Sequence, residues 1–413
     1  MKNLLVAQSG GPTSAINGTL VGILTEVYVQ KEKVGKVYGA INGVEGILSE
    51  RFIDLSKNLR STEDLELLKN TPAAALGSCR YKFKNTKEHK NNLKKIIDIF
   101  KKYDIGYFIY IGGNDSMDTV NKINEYCMEN HITDIKIVGA PKTIDNDLDK
   151  IDHCPGFGSA AKYIATTFAE IERDINVYNT EAVTIVEVMG RNAGWLTAAA
   201  SLSTLAGGRG PDLIYLCEIP FNIEAFIKDV RNSLMNNPNV LIAVSEGIKS
   251  VNGKYISEEI QSGATDSFGH KYISGAGKIL ENIVRAEIGC KVRSIELNLM
   301  QRCSGHLLSR TDIEESKLLG MKACQCALQG KTGVMATILR KSNEPYEIEL
   351  SSVQVSEVAN VEKKVPRCWI NNEGNGVNQE ILEYLSPLIK GEVNVEYHHG
   401  LPQHLILSHD YLV

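Results

Sequence analysis

Along the chain, short unbroken apolar runs alternate with longer stretches whose apolar positions recur every three or four residues. Residues 4–8 form the first run, LLVAQ, and the small-residue segment 14–29 that follows has helical spacing. Residues 36–41, KVYGAI, are the next strand candidate. Within 88–103, Leu93, Ile96, Ile97 and Phe100 fall on one helix face. Residues 107–113, YFIYIGG, read as a buried strand entering a Gly-Gly turn. Residues 135–142, 182–190 and 240–247 repeat the pattern of a strand followed by a turn with polar residues. Such alternation predicts an α/β fold built on parallel sheets. No fixed-period repeat, low-complexity segment or linker rich in Pro, Gly or Ser interrupts it.

The position of the polar clusters changes the picture from fold to function. Parallel sheets place their ligand sites at the carboxyl ends of the strands. QSGGPT, GGNDS, PKTIDND, MGRNAG and SEG all lie at such ends.

At 413 residues the chain is too long for one ordinary domain. A hydrophobic fraction of 43% and a charged fraction of 23% exclude disorder and fibrous repeats as its main character. The opening apolar run is too short for a secretory leader, and no stretch approaches the ~18–20 apolar residues of a membrane span. A net charge of −5 argues against a nucleic-acid or membrane-surface partner, so an anionic substrate must meet a local basic cluster. Nine scattered cysteines without a CxxC pair fit a reducing cytosol better than a disulfide framework. The expected location is therefore cytoplasmic.

Gln8-Ser9-Gly10-Gly11-Pro12-Thr13 joins a strand to a helix, where glycines let a phosphate approach the backbone. It is neither GxGxxG nor a Walker A sequence. The one near miss, Gly330-Lys331-Thr332, lacks the earlier glycine and reads as a helix C-cap. Gly112-Gly113-Asn114-Asp115-Ser116 suits a magnesium-phosphate site, since magnesium takes hard oxygen ligands and few carboxylates. The plain alternative is a turn with Asp115 or Ser116 capping a helix.

Lys142, Thr143, Asp145 and Asp147 lie within six residues after a buried strand. Together they can bind a phosphate, position a hydroxyl and take its proton. An extended backbone would point Asp145 and Asp147 to the same side, one as base and the other holding a metal or tuning its partner. Met189-Gly190-Arg191 puts an arginine just beyond a strand end, suited to phosphate oxygens. Glu246 beyond another can accept sugar hydroxyls. Arg293 and the Gln301-Arg302 pair can grip a terminal phosphate. Arg80-Tyr81-Lys82-Phe83-Lys84 alternates charge and aromatic, and reads as an anion-facing loop or a solvated edge.

In this order, GG-N-DS, PKTIDND, VEVMGR, SEG and the late QR closely resemble the phosphofructokinase family, and its pyrophosphate-dependent branch is the better match. The resemblance runs from Asn3 to about Arg340, and the segment KKVPRCWINNEGNGVNQEILEYLSPLI also resembles that branch. It implies two Rossmann-like α/β domains with the active site in the cleft between them. The donor domain would comprise residues 1–156 and 301–350, and the sugar-phosphate domain 157–300 and 351–413. It implies magnesium-dependent phosphoryl transfer to the 1-hydroxyl of fructose 6-phosphate, in a homodimer or homotetramer. Asp145 would be the base, with Asp147 supporting it and the metal. Thr143, Met189, Gly190, Arg191 and Glu246 would contact the sugar phosphate. Arg302 would bind the 6-phosphate, and Arg293 would do so from a neighbouring subunit. Gly11, Arg80 and Ser116 would face the donor phosphates, and Asn114 and Asp115 the metal.

Two positions decide the donor. ATP-using relatives generally have glycine where Asp115 and Lys142 stand. A carboxylate at the first repels the α-phosphate of ATP, and a lysine at the second places a cation by the transferred group. Both point to inorganic pyrophosphate. An ATP-dependent enzyme, a sedoheptulose 7-phosphate enzyme and a non-catalytic regulatory subunit are the alternatives. The sequence departs from the family pattern at Asn114, where aspartate is usual, at Ala182, where many relatives carry arginine, and at Leu299, where histidine or tyrosine is usual.

Overall fold

The computed structural model describes residues 1–59, 61–84, 86–259, 275–408 and 410. Strands β1 (Asn3–Gln8), β2 (Val37–Ala40), β3 (Phe52–Asp54), β4 (Ile105–Gly112) and β5 (Lys136–Pro141) come first in the chain. Then follow β6 (Ala182–Val188), β7 (Leu213–Tyr215), β8 (Asn239–Ser245) and β9 (Lys291–Glu296), and last β10 (Val334–Asn343) and β11 (Tyr346–Gln354). They build a seven-stranded sheet in the order β11-β10-β5-β4-β1-β2-β3 and a four-stranded sheet in the order β7-β8-β6-β9. The strands from β10 through β2 pair in parallel, and only the edge strands β11 and β3 run antiparallel. The smaller sheet is parallel throughout.

Continuous apolar runs became strands because both faces of each sheet are covered. Leu4, Leu5, Val6 and Ala7 are fully buried, as are Phe108, Ile109 and Ile111. Burying each large side chain contributes about 1.5–3 kcal/mol. Helix Ile16–Val29 packs on helix Arg310–Leu328 with the backbones almost touching. A Cβ on Gly22 would lie 1.9 Å from the Lys317 carbonyl oxygen, and one on Gly320 would lie 2.0 Å from that of Thr19. Only glycine permits that approach.

In the larger sheet the strand order reverses between β1 and β4, and in the smaller sheet β6 lies between β8 and β9. Such reversals leave a crevice beyond the carboxyl ends of the strands, which is where ligands bind. The two crevices supply the two walls of one cleft of about 650 Å³.

Within 182–190 and 240–247 the strands end at Val188 and Ser245 and the polar turns follow, as the pattern predicts. Gly190, at φ 139, takes a backbone conformation that L-residues avoid, so the strand cannot continue through it. The expected domain division is corrected. The domain boundary expected at 350 falls inside β11, which stays in the larger sheet to Gln354. Val355, Val358 and Leu407 also belong to the larger sheet's core, whereas Val365, Ile370 and Ile381 pack with the smaller domain. The chain beyond 350 therefore visits both domains. Residues 260–274, within the expected sugar-phosphate domain, lie outside the described residues. Gly330 follows the helix ending at Leu328 with φ 83, and its N–H donates to the Ala327 carbonyl, so it does close that helix. No helix among the described residues is long and apolar enough to cross a membrane.

Candidate active site

Of the five strand-end clusters, all contribute residues to the cleft. Gly11, Arg80, Asn114, Asp115, Ser116, Lys142, Thr143, Asp145, Asp147, Met189, Arg191, Glu246 and Arg302 line it, and Gly190 is buried outside the lining.

On the large-sheet side, β1 and β4 deliver two glycine turns side by side. Ser9 Oγ and Ser116 Oγ are 2.6 Å apart and tie the turns together. Beneath the first turn lies Lys142, only 1% exposed. Its Nζ donates to the carbonyls of Ser9 (2.7 Å) and Gly11 (2.6 Å). Burial pulls its pKa down to about 7, against the opposing pull of Asp145. A Cβ on Gly11 would stand 3.1 Å from Arg302 Nη1, so Arg302 closes over this turn. Arg302 is thus beside the first glycine turn as well as near Asp145 and Glu246; burial, then Arg80, lowers its pKa.

Asp115 is not a lone carboxylate. Lys82 Nζ pairs with its Oδ1 at 2.9 Å, and that bond raises the lysine's pKa. The alternation around Arg80 is explained by this: Phe83 is buried and Tyr81 packs edge-on to it at 4.9 Å, so the intervening cations turn to the cleft. The pattern was visible in the sequence, but the partner of Lys82 was not.

Asn114 departs from its expected role. Its Oδ1 accepts from the Asn360 backbone N–H (2.5 Å) and its Nδ2 donates to the Val361 carbonyl (2.7 Å). The side chain therefore pins a distant strap, residues 360–363, along the cleft rim. Asn192 Nδ2 donates to Glu362 Oε1 (2.8 Å), and the Lys363 N–H donates to the Asp147 carbonyl (2.7 Å). Asn192 enters the cleft from the MGRNAG cluster, whereas Asn360, Glu362 and Tyr255 line it without any signal in their local sequence.

The segment from Lys142 to Asp147 is bent, not extended. Asn146 has φ 54, and the turn it makes, rather than strand alternation, brings Asp145 and Asp147 into the same cleft. The Asp145 N–H donates to Thr143 Oγ1 (3.1 Å). Burial raises the pKa of both carboxyls. Glu246 adds to the rise at Asp145, and the Asp145 charge adds to it at Asp147. Asp147 Oδ1 is buried and has no hydrogen-bond partner.

On the small-sheet side, the Gly190 N–H donates to Glu246 Oε1 (3.3 Å), and Ser245 Oγ donates to the Gly190 carbonyl (2.6 Å). The Met189 N–H donates to Gln301 Oε1 (3.2 Å), which aligns the late QR turn with this strand end. Burial raises Glu246 to about 7. Arg191 Nε is buried without a partner, a donor left for a ligand. Arg293 does not join this cleft: it is exposed on β9, in register with Thr184. Ala182 opens β6 at the end remote from the cleft, and Leu299 is 54% exposed.

The site thus offers a buried carboxylate beside buried cations, a glycine turn under a lysine, and arginines on both walls. The family model described as Phosphofructokinase matches residues 3–327. A Methylococcus capsulatus protein named pyrophosphate–fructose 6-phosphate 1-phosphotransferase is 37% identical over 408 residues, covering 98% of this chain and 96% of its own. A protein of the same name from Xanthomonas campestris pv. campestris is 39% identical over 409 residues, covering 98% and 96%. The solved pyrophosphate-dependent phosphofructokinase of Nitrosospira multiformis matches with a TM-score of 0.90 at 36% identity, covering 100% of this chain and 98% of that one.

Proposed function

The chain belongs to the phosphofructokinase family, and on that premise we propose how its residues act. It transfers a phosphoryl group reversibly from inorganic pyrophosphate to the 1-hydroxyl of D-fructose 6-phosphate, giving fructose 1,6-bisphosphate and phosphate. Asp145 takes the hydroxyl proton as the new O–P bond forms and the bridging P–O bond of pyrophosphate breaks. Burial raises its pKa toward the working pH, which makes it a stronger base than a solvated aspartate. Lys142 lies where the leaving and transferring phosphates meet the glycine turn. Incoming phosphate charge favours its ammonium form, and the cation then offsets the charge spread over the transferring group. Arg191 and Glu246 hold the sugar phosphate, with Thr143, Met189 and Gly190 shaping its seat. Arg302 spans the 6-phosphate and the donor turn. Arg80 and Ser116 complete the donor side. Arg293, directed away from its own cleft, serves a neighbouring subunit of a homodimer or homotetramer. The larger-sheet domain takes the donor, the smaller takes the sugar phosphate, and the enzyme works in the cytoplasm.

Magnesium fits the residues present: Asp147 Oδ1 is a buried, unpartnered hard oxygen, and Asp115 stands in the same cleft. These two carboxylates would hold the ion together with pyrophosphate oxygens, and Asn114 would join only by releasing the strap. When bound, the ion neutralises phosphoryl oxygen charge.

The observation that carries the donor assignment is Lys142 Nζ, buried between the Ser9 and Gly11 carbonyls. The test is a donor panel on the purified chain at fixed magnesium and fructose 6-phosphate. Turnover with pyrophosphate and none with ATP is expected. Strong ATP use with pyrophosphate inert refutes the donor, and no turnover with either leaves only a regulatory subunit.

A further inference from the structure

The bend that brings Asp145 and Asp147 together is made by an asparagine rather than a glycine. Asn146 has φ 54, a left-handed conformation that asparagine tolerates but that leaves it free to relax unless its side chain is held. It is fully buried, and both of its amide atoms are used. Oδ1 accepts from the Cys154 N–H at 2.9 Å, and Nδ2 donates to the Tyr384 hydroxyl at 3.0 Å.

Tyr384 is fixed in turn. Its hydroxyl proton goes to the Asp152 carbonyl at 2.6 Å, which leaves the oxygen lone pair facing Asn146. Arg340 on β10 donates to the Tyr384 carbonyl (2.8 Å) and stacks its guanidinium 4.5 Å from the ring centre. The same guanidinium pairs with Asp152 at 2.8 Å. Trp195 and Trp369 pack against the ring at 5.2 and 5.4 Å. Neither Tyr384, Arg340 nor Asp152 lines the cleft.

We propose that Tyr384, brought in by helix Gln379–Leu385, is a positioning residue that holds the Asn146 bend and thereby the placement of the Asp145 base. The inference rests on the reading of Asp145 given above. Phosphoryl transfer depends on geometry more than on covalent chemistry, and a misplacement of about 1 Å from a distant change lowers rates by ~10². The groups that bind the substrates, Arg191, Glu246, Arg302 and Lys142, are not held by Tyr384. Its loss therefore acts on turnover and not on affinity.

Tyr384→Phe keeps the ring in its aromatic packing and removes only the oxygen. In the full-length enzyme, kcat should fall about 10- to 100-fold, with KM for both substrates within about twofold of wild type. Asn146→Gly permits the left-handed conformation without enforcing it, and should show the same split. Because the tyrosine acts through the asparagine, adding Tyr384→Phe to Asn146→Gly should lower kcat less than about twofold further. A kcat for Tyr384→Phe within twofold of wild type, or effects that multiply in the double variant, overturns the proposal. Should Tyr384→Phe not fold, Asn146→Gly decides alone: an unchanged kcat overturns it and a selective kcat loss supports it. Asp145→Asn separates the two readings. If it is active, the base assignment and this inference both fall; if it is inactive beside a fully active Tyr384→Phe, only the inference falls.

Discussion

Replacing Lys142 with methionine should make the free enzyme more stable at neutral pH and nearly inactive. The lysine is 1% exposed, and burial lowers its pKa from 10.5 to about 7. Between those two values the unfolded chain binds more protons at this position than the folded one, so folded stability rises with pH. Holding the lysine at about 7 costs the fold about 4 kcal/mol at pH 7, and the penalty shrinks by about 1.4 kcal/mol for each pH unit above it. Methionine removes that penalty with a side chain of similar length. It also removes the two bonds to the Ser9 and Gly11 carbonyls, worth together about 2 kcal/mol. The variant should therefore be about 2 kcal/mol more stable at pH 7, equal near pH 9 and less stable above it. Urea unfolding of both proteins at pH 7, 8 and 9, without substrate, measures the difference directly. In the same variant kcat with pyrophosphate should drop about 10²–10³-fold, as when an electrostatic stabiliser of the transition state is lost. A stability difference that stays constant across this pH range, or a variant that is less stable at pH 7, refutes the picture of a lysine buried against its preference.

Asp115→Gly should let ATP serve as donor to a measurable degree while freeing Lys82; initial rates with ATP no higher than wild type would show that the carboxylate is not what excludes it. Arg302→Ala should raise KM for fructose 6-phosphate about 10- to 100-fold through a lost charge-assisted bond, and also raise KM for pyrophosphate, because Arg302 closes over Gly11. An unchanged pyrophosphate KM in steady-state assays would remove Arg302 from the donor side. Gly22→Ala drives a Cβ into the Lys317 carbonyl and should destabilise by about 3 kcal/mol, seen as a lowered urea midpoint with kcat per folded molecule preserved.

The sequence made legible what depended on local pattern. β1, β4, β5, β6 and β8 are buried on both faces, so each appears as an unbroken apolar run. β7 is only three residues long although it opens the apolar run 213–217, and β9 buries only Val292 deeply and leaves no such run. β11 alternates half-buried and exposed positions over its first five residues at the sheet edge, and its partner β10 leaves the core after Ile338. The polar clusters were found because strand ends gather them. Lys82, Glu362 and Tyr384 were not assigned because their roles come from partners far along the chain. Asn114 illustrates the limit: its place in a strand-end motif suggested a metal ligand, whereas Asn360 and Val361, remote in sequence, determine what its amide does. Asp145 and Asp147 do share the cleft, but by a bend that spacing alone does not reveal.

The order of strands in the larger sheet has a consequence for biosynthesis. β5 pairs on one side with β4 and on the other with β10, at Val138 with Val334. A growing chain that has finished β5 must therefore make the whole smaller domain before the second partner exists. At ~5–20 residues per second that interval is roughly 10–40 s, during which the nascent sheet presents an open hydrogen-bonding edge in its most apolar region. The helix Arg310–Leu328, which covers the same region, also arrives late. The newborn protein is thus most exposed to mispairing with its neighbours on the polysome while its second half is still being translated, and chaperones that shield strand edges would act in that window.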